Sequence, residues 1–268
     1  MTPKSLIRRT LLLATLTAAA FGAQAADTLE TIRANKKIRV SIDLAVPPSG
    51  MTDASMKPTG SDYDVAVLLA KDLGVALEVV PTVGATRIPN LQTGKADIII
   101  STLAWTPERA KVVDYTVPYA PQISLVGGVK GVNVKSMADL AGKSVAVNRS
   151  TTQDTDLTNN AKGATVVRYD DDAGVITAVV TGQADLVGTS NALFQTMQQK
   201  APQRNLEMKF VLRTNDLGIG VRKDDPKLLA WLNEWVRANH KNGKLNEIFK
   251  KYHGTEIPKD VVEKWLKQ

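Results

Sequence analysis

Two stretches of the chain repeat one another: Leu91-Gln92-Thr93-Gly94-Lys95-Ala96-Asp97-Ile98-Ile99 and Val179-Val180-Thr181-Gly182-Gln183-Ala184-Asp185-Leu186-Val187. Each closes a helical pattern on a glycine able to take positive φ, and each passes at once into an apolar run. Runs such as Ile98-Ile99-Ile100 suit strands covered on both faces, as in parallel sheets. Helix-to-strand turn chemistry explains one such motif. Its return at the matching point of a second run points to two similar lobes.

The surrounding pattern agrees. Strand-like runs over residues 38–42, 77–80, 97–101, 123–126, 144–147, 166–168 and 185–187 alternate with helical spacing, as over residues 64–73, closed by Gly74, and 87–93, closed by Gly94. Such alternation predicts an α/β fold with parallel sheets. In open α/β sheets, ligands gather beyond the carboxyl ends of the strands. Here those ends are Ser101-Thr102 and Gly188-Thr189-Ser190, and two such ends facing each other make a cleft.

Residues 1–25 are expected to lie outside the fold. Lys4, Arg8 and Arg9 make a basic start, an apolar stretch covers residues 11–21, and Ala23-Gln24-Ala25 supplies a small-x-small cleavage site. The apolar stretch is far short of the roughly twenty residues that span a bilayer. These features predict a cleaved signal peptide. With no cysteine to carry a lipid, they predict a soluble periplasmic product.

The same lack of cysteine excludes disulfides, thiol catalysis and cysteine metal sites. Only His240 and His253 could serve a histidine metal centre or a Ser-His-Asp system, and no phosphate loop, dinucleotide fingerprint, HExxH or GxSxG motif occurs. The expectation is therefore no metal and no cofactor. The formal charge of +7 includes three basic residues of the leader, and much of the rest sits in Lys241, Lys244, Lys250, Lys251, Lys259, Lys264 and Lys267. With aromatics at 5%, these lysines read as a solvated helical face rather than a nucleic-acid surface.

Polar groups at helix starts carry the chemistry. Thr106 is a predicted N-cap, Pro107 suits the first helical position, and Glu108 suits the positive end of the dipole. Arg109 is a cation where a helix disfavours one. It reads equally well as a rigid two-point grip on a carboxylate or as a surface residue paired with an acid such as Asp114. Ser150 with Gln153 fits a capping box, and the free N–H groups of that helix start could also receive an anion. Trp105 is either a rim residue stacking on a ligand or a residue packed between lobes.

Residues 60–65 (Gly-Ser-Asp-Tyr-Asp-Val), the run from Asp97 through Trp105-Thr106-Pro107-Glu108-Arg109, residues 113–119 and Leu140-Ala141-Gly142-Lys143 with the strand after it together resemble the extracellular solute-binding proteins of polar amino-acid ABC transporters. The resemblance runs in order from Ile38 to about Tyr252, and the segment ending in Thr-Pro-Glu-Arg is its most specific part. It implies a type II-like two-lobe periplasmic binding protein, each lobe a mainly parallel sheet flanked by helices. The lobes would close about a two-stranded hinge, with lobe one at residues 26–120 plus 217–268 and lobe two at 121–216. By this likeness Arg109 takes the ligand α-carboxylate, helped by Ser101, Thr102, Thr151 and Thr152, while Asn148 lines the side-chain end.

Several positions depart from that pattern. Val46 stands where many members place a stacking aromatic, Ala104 replaces a frequent serine, and Ser190 stands where a carboxylate often receives the α-amino group. Asp43 could supply the missing charge, or the solute is a carboxylated amine other than a standard α-amino acid. The expected function is a monomeric, non-enzymatic receptor that hands a small amino acid-like solute to a membrane permease, with no nucleic-acid partner. A prephenate- or arogenate-type dehydratase on the same scaffold is the alternative; it would need a buried general acid in the cleft. A sensory module is a third class, expected to continue into a membrane or signalling segment.

Overall fold

The computed structural model describes residues 27–267, so the leader predicted over residues 1–25 lies outside the described part. Helix α1 (Thr28–Asn35) leads into β1 (Lys37–Ile42), the short pair β2 (Met51–Thr52) and β3 (Pro58–Thr59), α2 (Ser61–Leu73), β4 (Ala76–Pro81), α3 (Arg87–Gln92), β5 (Ile98–Ile99), α4 (Pro107–Ala110) and β6 (Val113–Tyr115). The long strand β7 (Ala120–Val129) then opens a second run: β8 (Ser144–Asn148), α5 (Thr152–Asn160), β9 (Thr165–Tyr169), α6 (Asp172–Val180), β10 (Leu186–Ser190) and α7 (Asn191–Lys200). Strand β11 (Leu206–Leu217) returns, and β12 (Gly220–Arg222), α8 (Pro226–Lys241), α9 (Lys244–His253) and α10 (Lys259–Leu266) follow.

Two five-stranded sheets result, with one plan. Read from one edge, the first runs β4-β1-β5-β12-β6 and the second β9-β8-β10-β7-β11. In each, the first three strands are parallel, the fourth is antiparallel to the third, and the fifth is antiparallel to the fourth. Four of five strands therefore point one way, and the strand after each sequence repeat holds the centre. The repeat is exact enough to share its hydrogen bonds. Gly94 N–H donates to Leu91 O and Gly182 N–H to Val179 O, while Ala96 N–H donates to Asn90 O and Ala184 N–H to Ala178 O. Both glycines are left-handed, at φ 71° and 85°. Both aspartates hold an arginine, Asp97 with Arg39 at 2.6 Å and Asp185 with Arg204 at 2.8 Å.

The apolar cores keep to their own sheets. Ile38, Leu69, Ile100, Leu217, Leu232 and Trp265 belong to one cluster, whereas Val187 with Phe194, and Leu140 with Leu157, belong to two others under the second sheet. Strands β7 and β11 cross between them, paired from Ala120 against Leu217 to Val129 against Leu206. A buried polar knot sits at the crossing: the Ser124 hydroxyl accepts from Asn215 Nδ2 at 2.7 Å and Gln153 Nε2 at 2.9 Å.

Boundaries differ from the sequence pattern where capping intervenes. The strand expected over residues 97–101 shortens to Ile98–Ile99, because Thr102 takes a left-handed backbone (φ 43°) and turns the chain aside. Helix α2 starts three residues early, with Asp62 and Asp64 in its first turn, where the dipole favours acids. Among the described residues no helix is long and apolar enough to cross a membrane. Among them too, no group of three or more His, Cys, Asp or Glu could hold a metal ion.

Candidate functional site

The carboxyl ends of β5, β8 and β10, with the starts of α3, α5 and α6, converge on one cleft. Val46, Arg87, Thr102, Ala104 and Arg109 line it from the first sheet's side, and Asn148, Thr151, Thr152, Asp172, Thr189 and Ser190 from the second. The void is about 440 Å³ with its open mouth counted. The two sides thus stand close together, around a space fit for a small molecule rather than a polymer.

Arg109 spans the cleft. Its helix begins as predicted, with the Thr106 hydroxyl accepting from Arg109 N–H at 3.2 Å and Pro107 in the first turn. The guanidinium donates from Nη1 to Ala104 O and from Nη2 to Ser150 O, each at 2.9 Å, so one side chain touches both walls. Loss of water around it lowers its pKa to about 10, with Arg87 adding repulsion, and it stays charged at neutral pH. Asp114, the surface partner considered for it, pairs instead with Lys223.

The opposite wall presents the α5 start. The box expected between Ser150 and Gln153 does not form. Ser150 is left-handed (φ 62°), which bars it from the extended conformation of a cap. Thr151 caps instead, accepting from Asp154 N–H at 3.2 Å and donating to Asn148 O at 2.7 Å, while Ser150 N–H donates to Asp154 Oδ2. Ser190 ends β10 and caps α7, its hydroxyl accepting from Leu193 N–H at 3.2 Å.

Seven predicted residues therefore share the lining: Thr102, Ala104, Arg109, Asn148, Thr151, Thr152 and Ser190. Asp43 and Ser101 are buried but outside it, and they brace one another, Asp43 N–H donating to the Ser101 hydroxyl at 3.0 Å. Trp105 is not packed between the walls. It is 53% exposed and lies beside Tyr115 and Arg213, outside the lining.

Two charged residues were missed. Arg87, 3% exposed, donates from Nη1 to Ser101 O at 2.6 Å and leaves Nε without a partner. Its signal was present: like Arg109, it is a cation in the first turn of a helix. Asp172, 8% exposed, accepts from Asn148 Nδ2 at 2.8 Å. Burial, opposed by that hydrogen bond, pushes its pKa up to about 7, and the nearby Asp43 adds to the rise. Asp43 is also raised by burial, against the pull of Arg87. Asp62, raised to about 6 by burial, has a bracing role: it accepts from Tyr119 OH and Thr102 N–H, each at 2.8 Å.

The profile of the bacterial extracellular solute-binding proteins, family 3, matches residues 38–255. The glutamine-binding protein GlnH of an ABC transporter of Bacillus subtilis is 30% identical over 234 residues, covering 84% of each chain. Among solved structures, a mutant of ArgBP from T. maritima is 32% identical with a TM-score of 0.80, covering 85% of this chain and all of that one. An ancestral amino acid-binding protein, AncCDT-1, described as a precursor of cyclohexadienyl dehydratase, is 33% identical with a TM-score of 0.78, covering 84% of this chain and 99% of that one.

Proposed function

The chain belongs to the bacterial extracellular solute-binding proteins, family 3, and we propose that it is a periplasmic receptor capturing an amino acid or related carboxylated amine for an ABC permease. The observation that carries this reading is the reach of Arg109 to both walls, through Ala104 O and Ser150 O. A guanidinium held there offers a carboxylate paired N–H donors, opposite the start of α5. The moving parts are residues 26–120 with 217–268 and residues 121–216, and the separate apolar cores with the β7–β11 crossing support that division. Contacts that form only when both walls meet the solute shift the population toward the closed form, the form the permease reads.

The test is a thermal-shift screen on protein unfolded and refolded to strip bound solute. The panel holds the amino acids, ornithine, citrulline, opines, dicarboxylates and prephenate. A solute at about a hundred times its Kd adds about 2.7 kcal/mol of stability. A shift with an amino acid or carboxylated amine supports the receptor; silence from all of them overturns it. The raised pKa of Asp172, about 7, is what a cleft general acid would need, and it favours a dehydratase as second reading. We expect no turnover of prephenate by the pure protein, and turnover would reverse the order of the two readings.

Closure itself is testable at Gly84. A Cβ built there would lie 2.8 Å from Arg149 O and 3.4 Å from Asn148 Oδ1 across the cleft. Backbone oxygen cannot swing away, so Gly84→Ala must part the walls. We expect solute affinity to fall roughly tenfold, on the scale of 1–3 kcal/mol for overpacking. Titration calorimetry with small-angle scattering of the liganded protein checks this, and unaltered affinity removes Gly84 from the closing seam.

A further inference from the structure

Charge in the cleft is divided between two ends. Apart from Asp172 the lining residues carry no negative charge, and Arg109 is not among the charges felt by Asp172, Asp43 or Asp62. The hydroxyls of Thr151 and Ser190 are committed to capping α5 and α7. The nearby Arg213 is paired with Asp156.

The other end is acidic. Asp172 is the acidic side chain in the lining, and Asp43 and Asp62 are buried with Arg87 on the opposite wall. Arg87 acts on all three carboxylates. One guanidinium among three carboxylates leaves that end short of positive charge. It is also short of donors. Asn148 gives Nδ2 to Asp172, leaving Asn148 Oδ1 and Asp43 Oδ2 as buried acceptors without partners; Arg87 Nε and the Thr189 hydroxyl, which can donate or accept, are also buried and unpartnered. Buried acceptors without donors are costly, and an ammonium brings three donors and no acceptor.

We infer that Asp172 holds the cationic group of the solute, at the end of the cleft away from Arg109, so that the solute is a small carboxylate bearing its ammonium or guanidinium on a remote carbon. This rests on the receptor reading and specifies its solute. The carboxylate meets Arg109 and the α5 start, while the cation meets Asp172, Asn148 Oδ1 and Thr189, with Asp43 behind them. Among the lining residues Asp172 is the acid, so an ammonium on the carbon next to the carboxylate has no counter-charge of its own there and adds little to binding.

The experiment is titration calorimetry on stripped protein with γ-aminobutyrate, δ-aminovalerate and γ-guanidinobutyrate, against glutamine, alanine and ornithine. The first three and ornithine are expected to bind, with ornithine no tighter than δ-aminovalerate. Asp172→Asn, with its fold checked by circular dichroism, should weaken the remote-cation solutes by roughly a hundredfold, the scale for removing one partner of a buried charge pair. Asp43→Asn should weaken them less. Binding of glutamine or alanine without the remote-cation solutes overturns this inference and leaves the receptor standing, as does ornithine binding without δ-aminovalerate. Unchanged affinity in Asp172→Asn removes Asp172 from the role. If none of the six binds and the wider panel is also silent, the receptor reading falls as well.

Discussion

Arg109→Ala lowers solute affinity by about 2–5 kcal/mol, the cost of truncating one partner of a buried, hydrogen-bonded charge pair. Two losses combine. The solute carboxylate loses its donors, and the walls lose the one side chain that reaches Ala104 O and Ser150 O together. Arg109→Lys recovers little, because an ammonium is a point charge without the planar fork that serves two acceptors in fixed directions. Titration calorimetry on the variant with any solute found for the parent protein reads the effect. Affinity within twofold of the parent would sink the carboxylate role of Arg109.

Asp172→Asn moves stability in the opposite direction. The native carboxyl holds its proton up to about pH 7, whereas the unfolded chain releases it near 3.8. Between those values the folded state binds more protons, so its stability falls as pH rises, by about 1.4 kcal/mol per pH unit for one group. Asparagine keeps the shape and can still accept from Asn148, but it has no proton to lose. The variant should therefore match the parent near pH 4 and exceed it above pH 7 by roughly 2–4 kcal/mol. Thermal unfolding of stripped protein at both pH values measures this. A gain of equal size at each would mean that Asp172 does not carry the buried charge.

The paired architecture was legible because it rests on local chemistry. A Thr-Gly-x-Ala-Asp turn needs a glycine at positive φ and sends a buried strand forward, whichever lobe holds it. The Thr106 cap and the position of Arg109 follow from helix-start rules in the same way. Strand direction at β7 and β12 was not legible, since period and apolarity are the same either way round. Which of three successive hydroxyls caps α5 was decided by the left-handed turn at Ser150, and residue type alone does not state it. Asp172 escaped notice because an acid in the first turn of a helix is already explained by the dipole. Only the packing of α6 against β8 and the facing wall takes that carboxylate out of water.

The bond from Arg109 Nη2 to Ser150 O joins the two walls with groups of the protein alone. A bond of that kind acts on the walls and not on the solute, so it lengthens the stay of every solute alike and favours no one of them.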